Sequence, residues 1–271
     1  MKKYFSILLL LIMKIGFAQG PWIREKNSAY IQLGGTSLQY DKQQKKNMLI
    51  DLESNVSDIT AQLYVEYGLV KKLEVLIVVP YKIISENVKF VNIKNNISGL
   101  GNVTLGLKYN IFDKNWKISS GLHYIANSIQ KSNTSGLTTG FNAATIFPFV
   151  TLGSSSDKWY YFGNFGYGYM NNNYSDFIRI GAEVGYLVVE KGHIMLVLDN
   201  RIIVAKEEAF NTDPNQWTSY SDQQSYMAAG LKLNYEFKKN KFGANFAVIS
   251  AFALNNAPVA PTFNFGIYTI I

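Results

Sequence analysis

A regular alternation of apolar and polar side chains over residues 102–112 is the feature that most constrains the fold. The odd positions from Val103 to Ile111 are apolar, and the even positions are Thr104, Gly106, Lys108 and Asn110. Successive side chains of a β-strand point to opposite faces, so a period of two indicates a strand with one apolar and one polar face. The pattern therefore predicts that Lys108 and Tyr109 lie on opposite sides of a sheet.

The same period recurs along the chain and predicts twelve strands, at about residues 29–40, 58–67, 73–81, 102–112, 116–127, 140–152, 159–170, 176–189, 193–205, 223–237, 242–254 and 261–271. Short turns alternate with longer connections, of which the longest are residues 41–57, 82–99 and 206–222. An even strand number, with short turns on one side and long loops on the other, is typical of outer-membrane barrels, whose short turns are periplasmic and whose long loops are extracellular. Ten or fourteen strands remain alternatives, because such boundaries shift by about two to four residues.

The composition suits a sheet whose outer face meets lipid. Charged residues are only 17% of the chain, whereas aromatic residues reach 14% and gather near the predicted strand ends, as in membrane-interface belts. Lipid offers no hydrogen bonds to the backbone, so such a sheet must close on itself. We therefore predict an all-β chain forming a single closed antiparallel transmembrane β-barrel. A soluble all-β secreted protein is the alternative.

The N-terminal residues have the pattern of a secretory signal peptide. Lys2 and Lys3 precede an apolar run over residues 5–13, which is too short to span a bilayer as a helix, and Gly16-Phe17-Ala18 follows it. We predict a signal peptide over residues 1–18, cleaved after Ala18 or after Gln19. Residues 19–27 would form a periplasmic lead-in that could enter the lumen, and residues 28–271 would form the barrel.

The charge and the lack of cysteine narrow the possible partners. Removal of Lys2, Lys3 and Lys14 with the signal peptide lowers the formal net charge from +7 to +4, with 23 basic against 19 acidic residues left. This small excess is spread along the chain and gives no indication of nucleic-acid binding. Without cysteine, an exported chain depends on its core, its size or a membrane for stability.

Residues in the second to fourth predicted strands resemble a known family. They are the turn Tyr67-Gly68-Leu69-Val70-Lys71-Lys72-Leu73-Glu74-Val75, the pair Pro80-Tyr81 and the segment Gly99-Leu100-Gly101-Asn102-Val103-Thr104-Leu105-Gly106-Leu107-Lys108-Tyr109. Over about residues 60–112 the chain resembles the outer-membrane transporters associated with the meta-pathway of phenol degradation. That family often has Asp where this chain has Asn102. The resemblance implies an outer-membrane barrel that passes small, often hydrophobic, compounds.

The inward faces of the predicted strands supply the candidate functional residues. A lipid-facing Lys or Arg at mid-membrane costs about 2–4 kcal/mol, so charged side chains should face the lumen. The predicted lumen-lining residues are Gln62, Glu66, Lys108, Lys117, His123, Arg179, Glu183, Asp199, Arg201, Lys232, Asn234 and Glu236.

Two interpretations of this lumen remain open from the sequence. It could be a pore lined for small solutes, or a filled interior rigidified by ion-pair networks that contain Arg179 and Glu183, Asp199 and Arg201, and Lys232 and Glu236. Small inward residues, among them Gly166, Gly168, Gly243 and Ala247, predict extra room for a less polar solute.

Catalytic and metal sites have little support in the sequence. The chain has two histidines, and His123 and Ser128 are five residues apart on a strand, so their side chains would point to opposite faces. His123 and His193 are separated in the chain, and no cysteine is present to complete a zinc site. The glycines of residues 163–168 are not followed by a helix, as a nucleotide site would require. We therefore expect neither a cofactor nor a metal, and no enzyme activity.

The sequence favours a monomeric outer-membrane channel for the passive passage of small, possibly hydrophobic, molecules. Its expected partners are outer-membrane lipid, a small-molecule solute and, during insertion, the barrel-assembly machinery. A non-conducting structural or surface-binding barrel is the second hypothesis, and a lipid-modifying enzyme is the third.

Overall fold

The computed structural model describes residues 20–45, 48–91, 93–204 and 220–271. The predicted signal peptide and Gln19 lie outside these ranges, as does most of the predicted loop 206–222. The described strands are β1 (Ala29–Lys45), β2 (Met48–Val70), β3 (Leu73–Val88), β4 (Lys94–Leu100), β5 (Thr104–Asp113), β6 (Trp116–Ile125), β7 (Thr145–Ser155), β8 (Trp159–Met170), β9 (Asp176–Val189), β10 (Gly192–Val204), β11 (Ser225–Lys238), β12 (Phe242–Asn255), β13 (Ala257–Pro258) and β14 (Thr262–Ile270). Within the described ranges, no helix is long and apolar enough to span a membrane.

The strands close into an antiparallel barrel. Each main strand pairs with its neighbours in the sequence, and β1 pairs with both β2 and β14, which removes the free edges of the sheet. Strands β4 and β5 pair with β3 one after the other along its length, so together they count as one strand of the barrel wall, or one wall position. Strand β13 pairs only with the far end of β1. The described part of the chain therefore has twelve wall positions, which confirms the predicted fold class and strand number.

The break between β4 and β5 has its cause in Pro80 on the neighbouring strand. Tyr81 pairs with Leu100 and Val78 pairs with Thr104, so one extra residue is inserted opposite Pro80. Pro80 has no N–H to donate, but its carbonyl accepts a 3.0 Å hydrogen bond from the Gly101 amide. Weakened pairing at this proline is what the sequence predicts.

Two of the long connections are β-hairpins rather than loops. Strands β1 and β2 remain paired as far as Lys45 and Met48, and β3 pairs with β4 as far as Asn87 and Lys94. The predicted loops 41–57 and 82–99 are therefore wrong in conformation. Buried polar side chains, including Gln43 and Ser54, take inner-face positions in these segments, so apolar and polar residues do not alternate regularly and the composition concealed the strands.

The outer face of the barrel is apolar. Every wall position carries exposed large apolar side chains, including Leu105, Leu107 and Ile111 on β5. An apolar surface that encircles a protein indicates contact with lipid rather than with water.

Exposed aromatic rings mark both ends of this apolar surface. At the end with the short turns, Trp116 packs edge-on against Tyr161 and Trp159 packs against Tyr186. Exposed tyrosines at the end with the long connections include Tyr81, Tyr124 and Tyr169. Tyr40 and Tyr226 are near this end as well, but they lie on the inner face and do not belong to the belt. We call the two ends the short-turn end and the long-loop end.

Candidate functional site

At the short-turn end, residues 20–27 enter the barrel, and we call them the lead-in. The Ser119 hydroxyl donates a 2.6 Å hydrogen bond to the Pro21 carbonyl, and the Lys108 ammonium donates a 3.3 Å hydrogen bond to the Gly20 carbonyl. The backbone of Gly68 lies so close to the Glu25 carbonyl that a Cβ at this position would clash with it. The lead-in is therefore seated against the walls formed by β2, β5 and β6.

A buried cluster of four charges fixes the lead-in to the wall. The Arg24 guanidinium donates from Nε to Glu66 Oε2 at 2.8 Å, and the Arg24 amide donates to Glu74 Oε2 at 2.8 Å. Lys108 Nζ lies 2.9 Å from the other Glu74 carboxylate oxygen. Two cations face two carboxylates, so each buried charge has a partner, as removal from water requires.

On the opposite side, the lead-in meets the wall through Trp22. The indole packs edge-on against the rings of Tyr160 and Phe162, with both pairs of ring centroids 6.0 Å apart. Met195, which is fully buried, completes this cluster. The lead-in is thus held by hydrogen bonds and ion pairs on one side and by ring packing on the other.

At the long-loop end, residues 126–144 fold across the barrel mouth, and we call them the mouth loop. The Asn102 amide group donates to the carbonyls of Ala126 at 3.0 Å and Phe141 at 2.9 Å, and its oxygen accepts from the Phe141 amide at 2.8 Å. The Thr139 hydroxyl donates to the Leu100 carbonyl at 2.7 Å. The β4–β5 break therefore anchors the mouth loop.

Apolar and polar contacts seal this mouth. Leu137 of the mouth loop packs in a buried cluster with Tyr40, Val56 and Ile84. Beside it, the Tyr220 hydroxyl donates a 2.6 Å hydrogen bond to Asp58. Burial raises the pKa of the Tyr220 phenol well above its usual range, and the neighbouring Asp58 carboxylate adds to this rise.

An arc of aromatic rings, formed by His123, Phe149, Phe147 and Phe177, lines one side of the lumen between the two closures. The ring of His123 lies 4.6 Å from that of Phe149, and Phe147 stacks on Phe177 with centroids 5.8 Å apart. Arg201 ends the arc, with its guanidinium carbon 3.8 Å from the centroid of Phe177. Within the described chain, Arg201 forms no ion pair, and its buried Nε has no hydrogen-bond partner. The arc is an apolar surface that ends in a cation.

These rings occupy the room that the inward glycines were expected to leave. A Cβ at Gly166 would clash with Phe147, and one at Gly168 would clash with Phe177. A Cβ at Gly243 would likewise clash with Tyr268. The absence of a side chain at these glycines lets aromatic rings of the neighbouring strands pack against the backbone. The predicted extra space is therefore not found at these positions.

The wall that adjoins the arc, formed by β9–β11, is polar. Arg179 forms a bidentate pair with Asp199 at 2.7 and 2.8 Å, and Lys232 Nζ lies 3.4 Å from Glu183. Glu183 also accepts a 2.6 Å hydrogen bond from the Tyr160 hydroxyl. The indicated networks are re-paired: Arg179 on β9 binds Asp199 on the neighbouring β10, and Lys232 on β11 reaches across β10 to Glu183 on β9. Among the described residues, neither Arg201 nor Glu236 forms an ion pair of the indicated kind.

The remaining predicted lumen residues lie along the same inner face. Gln62 is half-buried, Asn234 is buried, and Glu236 accepts a 2.9 Å hydrogen bond from the Asn240 amide. Lys117 is at the short-turn rim, where it pairs with Asp113. The described residues contain no group of three or more His, Asp or Glu that could hold a metal ion.

Sequence reasoning missed the contributions of Trp22, Arg24 and Asn102 to this site. Trp22 and Arg24 act on residues far along the chain, and no local period marks such contacts. The position of Asn102 immediately before the strand alternation is the one signal that could have indicated its anchoring role.

A closed sheet with an apolar exterior and paired charges inside defines a transmembrane β-barrel of the outer-membrane type. Over residues 50–251 the chain matches the model of the family described as "Putative MetA-pathway of phenol degradation", and it belongs to that family. A search of curated proteins finds no match.

Solved structures share the fold at low sequence identity. The COG4313 outer membrane channel from Pseudomonas putida F1 aligns with a TM-score of 0.70 and 12% identity, covering 95% of this chain and all of that one. The KdgM porin aligns with a TM-score of 0.52 and 8% identity, covering 89% of this chain and 98% of that one. The translocator domain of the autotransporter NalP from Neisseria meningitidis aligns with a TM-score of 0.51 and 8% identity, covering 91% of this chain and 89% of that one.

Proposed function

We propose that this protein is an outer-membrane channel for the passive passage of small, partly hydrophobic molecules. The observation that carries the proposal is that chain segments, rather than a packed core of wall side chains, close both ends of the lumen. The lead-in is fixed by the Arg24–Glu66 pair at one end, and the mouth loop by Asn102 at the other. Segments held at a few points can move while the closed wall remains intact.

The lining between the closures supports solutes with both an apolar and a polar part. The arc from His123 to Phe177 offers ring faces, and Arg201 offers a cation at its end. The adjoining wall of β9–β11 offers the Arg179–Asp199 and Lys232–Glu183 pairs. A small aromatic compound with one polar or anionic group matches this division, because its ring and its polar group each meet a suitable surface.

The comparisons support passage without energy coupling. The family is associated with phenol degradation by its description, and two of the aligned structures are named as an outer membrane channel and a porin. The fold supports the short-turn end as periplasmic and the long-loop end as extracellular. Export by a signal peptide over residues 1–18, insertion by the barrel-assembly machinery and a monomeric state in outer-membrane lipid complete the proposal.

A second candidate is a non-conducting structural or surface-binding barrel. The observation that favours it is that both ends are covered, with Leu137 buried at one mouth and Trp22 packed on the wall at the other. Liposome swelling separates the two candidates. Swelling of protein-containing liposomes in small sugars or benzoate, above that of empty liposomes, is the expected result, and swelling equal to the empty control would contradict the channel.

A further inference from the structure

The lead-in is attached unevenly around the lumen. On the side of β2, β3, β5 and β6 it is held by Glu66, Glu74, Lys108 and Ser119 at 2.6–3.3 Å. On the side of β8 and β10 it presents the Trp22 ring to Tyr160, Phe162 and Met195. Breaking charged hydrogen bonds inside a barrel costs more than turning a ring about its own side-chain bonds.

A cavity of about 110 Å³ lies on the side of the Trp22 ring. Its outer lining comes from the turns at Ser155–Lys158, Glu190 and Lys239–Asn240, and its inner end is formed by Trp22, Tyr160, His193 and Glu236. A water needs roughly 10–15 Å³ of such space, so the cavity is large enough for several waters. It is a vestibule that runs from the short-turn rim to the Trp22 ring.

The lumen continues directly beyond this ring. Tyr160, which Trp22 contacts, donates its hydroxyl to Glu183 at 2.6 Å, and Glu183 pairs with Lys232 at 3.4 Å. The vestibule and the polar wall of the lumen are thus separated by the layer of Trp22 and Tyr160. Displacement of the Trp22 indole from Tyr160 would open a gap in this layer without moving the lead-in backbone.

We propose that solute passes the short-turn end between Trp22 and the wall of β8–β11, while the lead-in stays seated on β2–β6. Trp22 is then the residue that sets the size of the passage, and Tyr160, His193 and Glu236 form its polar and aromatic rim. This inference rests on the proposed channel function. It differs from a mechanism in which the whole lead-in leaves the barrel.

The chain contains no cysteine, so engineered cysteines can test the route without background. A Pro21→Cys/Ser119→Cys variant, bridged by a short bis-methanethiosulfonate reagent, locks the lead-in onto β6. Conductance in planar bilayers is compared before bridging, after bridging and after reduction of the same sample. The same cross-linked pair is then combined with Trp22→Ala. Trp116→Ala is the matched control, because Trp116 lies on the outer face at the same end.

The expected result is that the bridged channel still conducts and that Trp22→Ala raises its step size by about twofold or more, because pore conductance follows the width of the constriction. Trp22→Cys treated with a benzyl thiosulfonate should return to the smaller step, and Trp116→Ala should leave the step unchanged. Heat-modifiable migration on gels verifies that each barrel is folded.

Loss of conductance on bridging, with recovery on reduction, would overturn the inference and leave the channel function standing. An unchanged step in folded Trp22→Ala would overturn it as well. An absence of conductance by the wild-type protein in the same bilayers would instead contradict the proposed channel function, and the inference with it.

Discussion

Glu74 links the barrel wall to the lead-in through both of its carboxylate oxygens. Oε1 lies 2.9 Å from the Lys108 ammonium of β5, and Oε2 accepts a 2.8 Å hydrogen bond from the Arg24 amide. The wall and the segment that closes the short-turn end therefore share one charge cluster.

We expect Lys108→Met to release the lead-in. The substitution leaves the Glu66 and Glu74 carboxylates with Arg24 as their one remaining cation in the cluster, and breaking such a buried pair costs about 3–5 kcal/mol. Trypsin should then cleave after Arg24 in the folded, detergent-solubilised barrel, and mass spectrometry detects the new N-terminus. In the double variant Lys108→Met/Glu74→Leu, cleavage should fall between the wild type and the single variant. Equal protection of the single variant and the wild type would show that the cluster does not hold the lead-in.

We expect Asn102→Asp to loosen the mouth loop. Aspartate has the shape of asparagine but cannot donate to the Ala126 and Phe141 carbonyls, and its charge repels them. Lys131 is the one trypsin site within residues 126–144, so its cleavage reports on the loop. Asn127→Asp, which alters an exposed contact with Asn142, is the matched control and should leave Lys131 as protected as in the wild type. Protection of Lys131 in both variants would contradict the anchoring role of Asn102.

We expect Gly168→Ala to destabilise the barrel and Gly163→Ala on the same strand to be tolerated. A Cβ at Gly168 would clash with the Phe177 ring, whereas the nearest atom to a Cβ at Gly163 is a carbonyl oxygen 3.6 Å away. Overpacking of this kind costs about 1–3 kcal/mol. Urea unfolding in lipid vesicles, followed by tryptophan fluorescence, should show the loss for Gly168→Ala only. Equal midpoints for the two variants would mean that ring packing on glycine does not stabilise this wall.

We expect Arg201→Met to shift the ion selectivity of the open channel toward cations. Arg201 lies on the inner face against Phe177, so loss of its charge makes the electrostatic potential of the lumen less positive. The reversal potential in a salt gradient should shift toward cation preference. Lys114→Met removes a cation from an exposed turn outside the lumen and should leave the reversal potential unchanged. A shift of equal size in both variants would assign the effect to overall charge rather than to Arg201.

The sequence predicts the membrane-embedded wall well because lipid imposes a strict pattern on it. The alternation around Lys108 fixes both the strand and the face of each side chain, and the structure places Lys108 inside and Tyr109 outside. The same reasoning failed over residues 41–57 and 82–99, since polar side chains such as Gln43 and Ser54 take buried inner-face positions there and obscure the alternation.

The arrangement inside the lumen is less predictable. The partner of Arg24 is 42 residues away at Glu66, and such a contact depends on which strands adjoin the lead-in. Inward glycines suggested open space near Gly168, but the ring that fills it comes from Phe177 on the next strand. Period and composition specify faces, whereas contacts across the lumen depend on the register and closure of the whole barrel.

Single-channel recording of the purified protein in planar bilayers, with and without residues 20–25, tests the central claim most directly. We expect discrete conductance steps from the complete chain and larger, longer-lived steps after the deletion, because the lead-in closes the short-turn end. An absence of steps from both proteins, each verified as a folded barrel, would contradict the account.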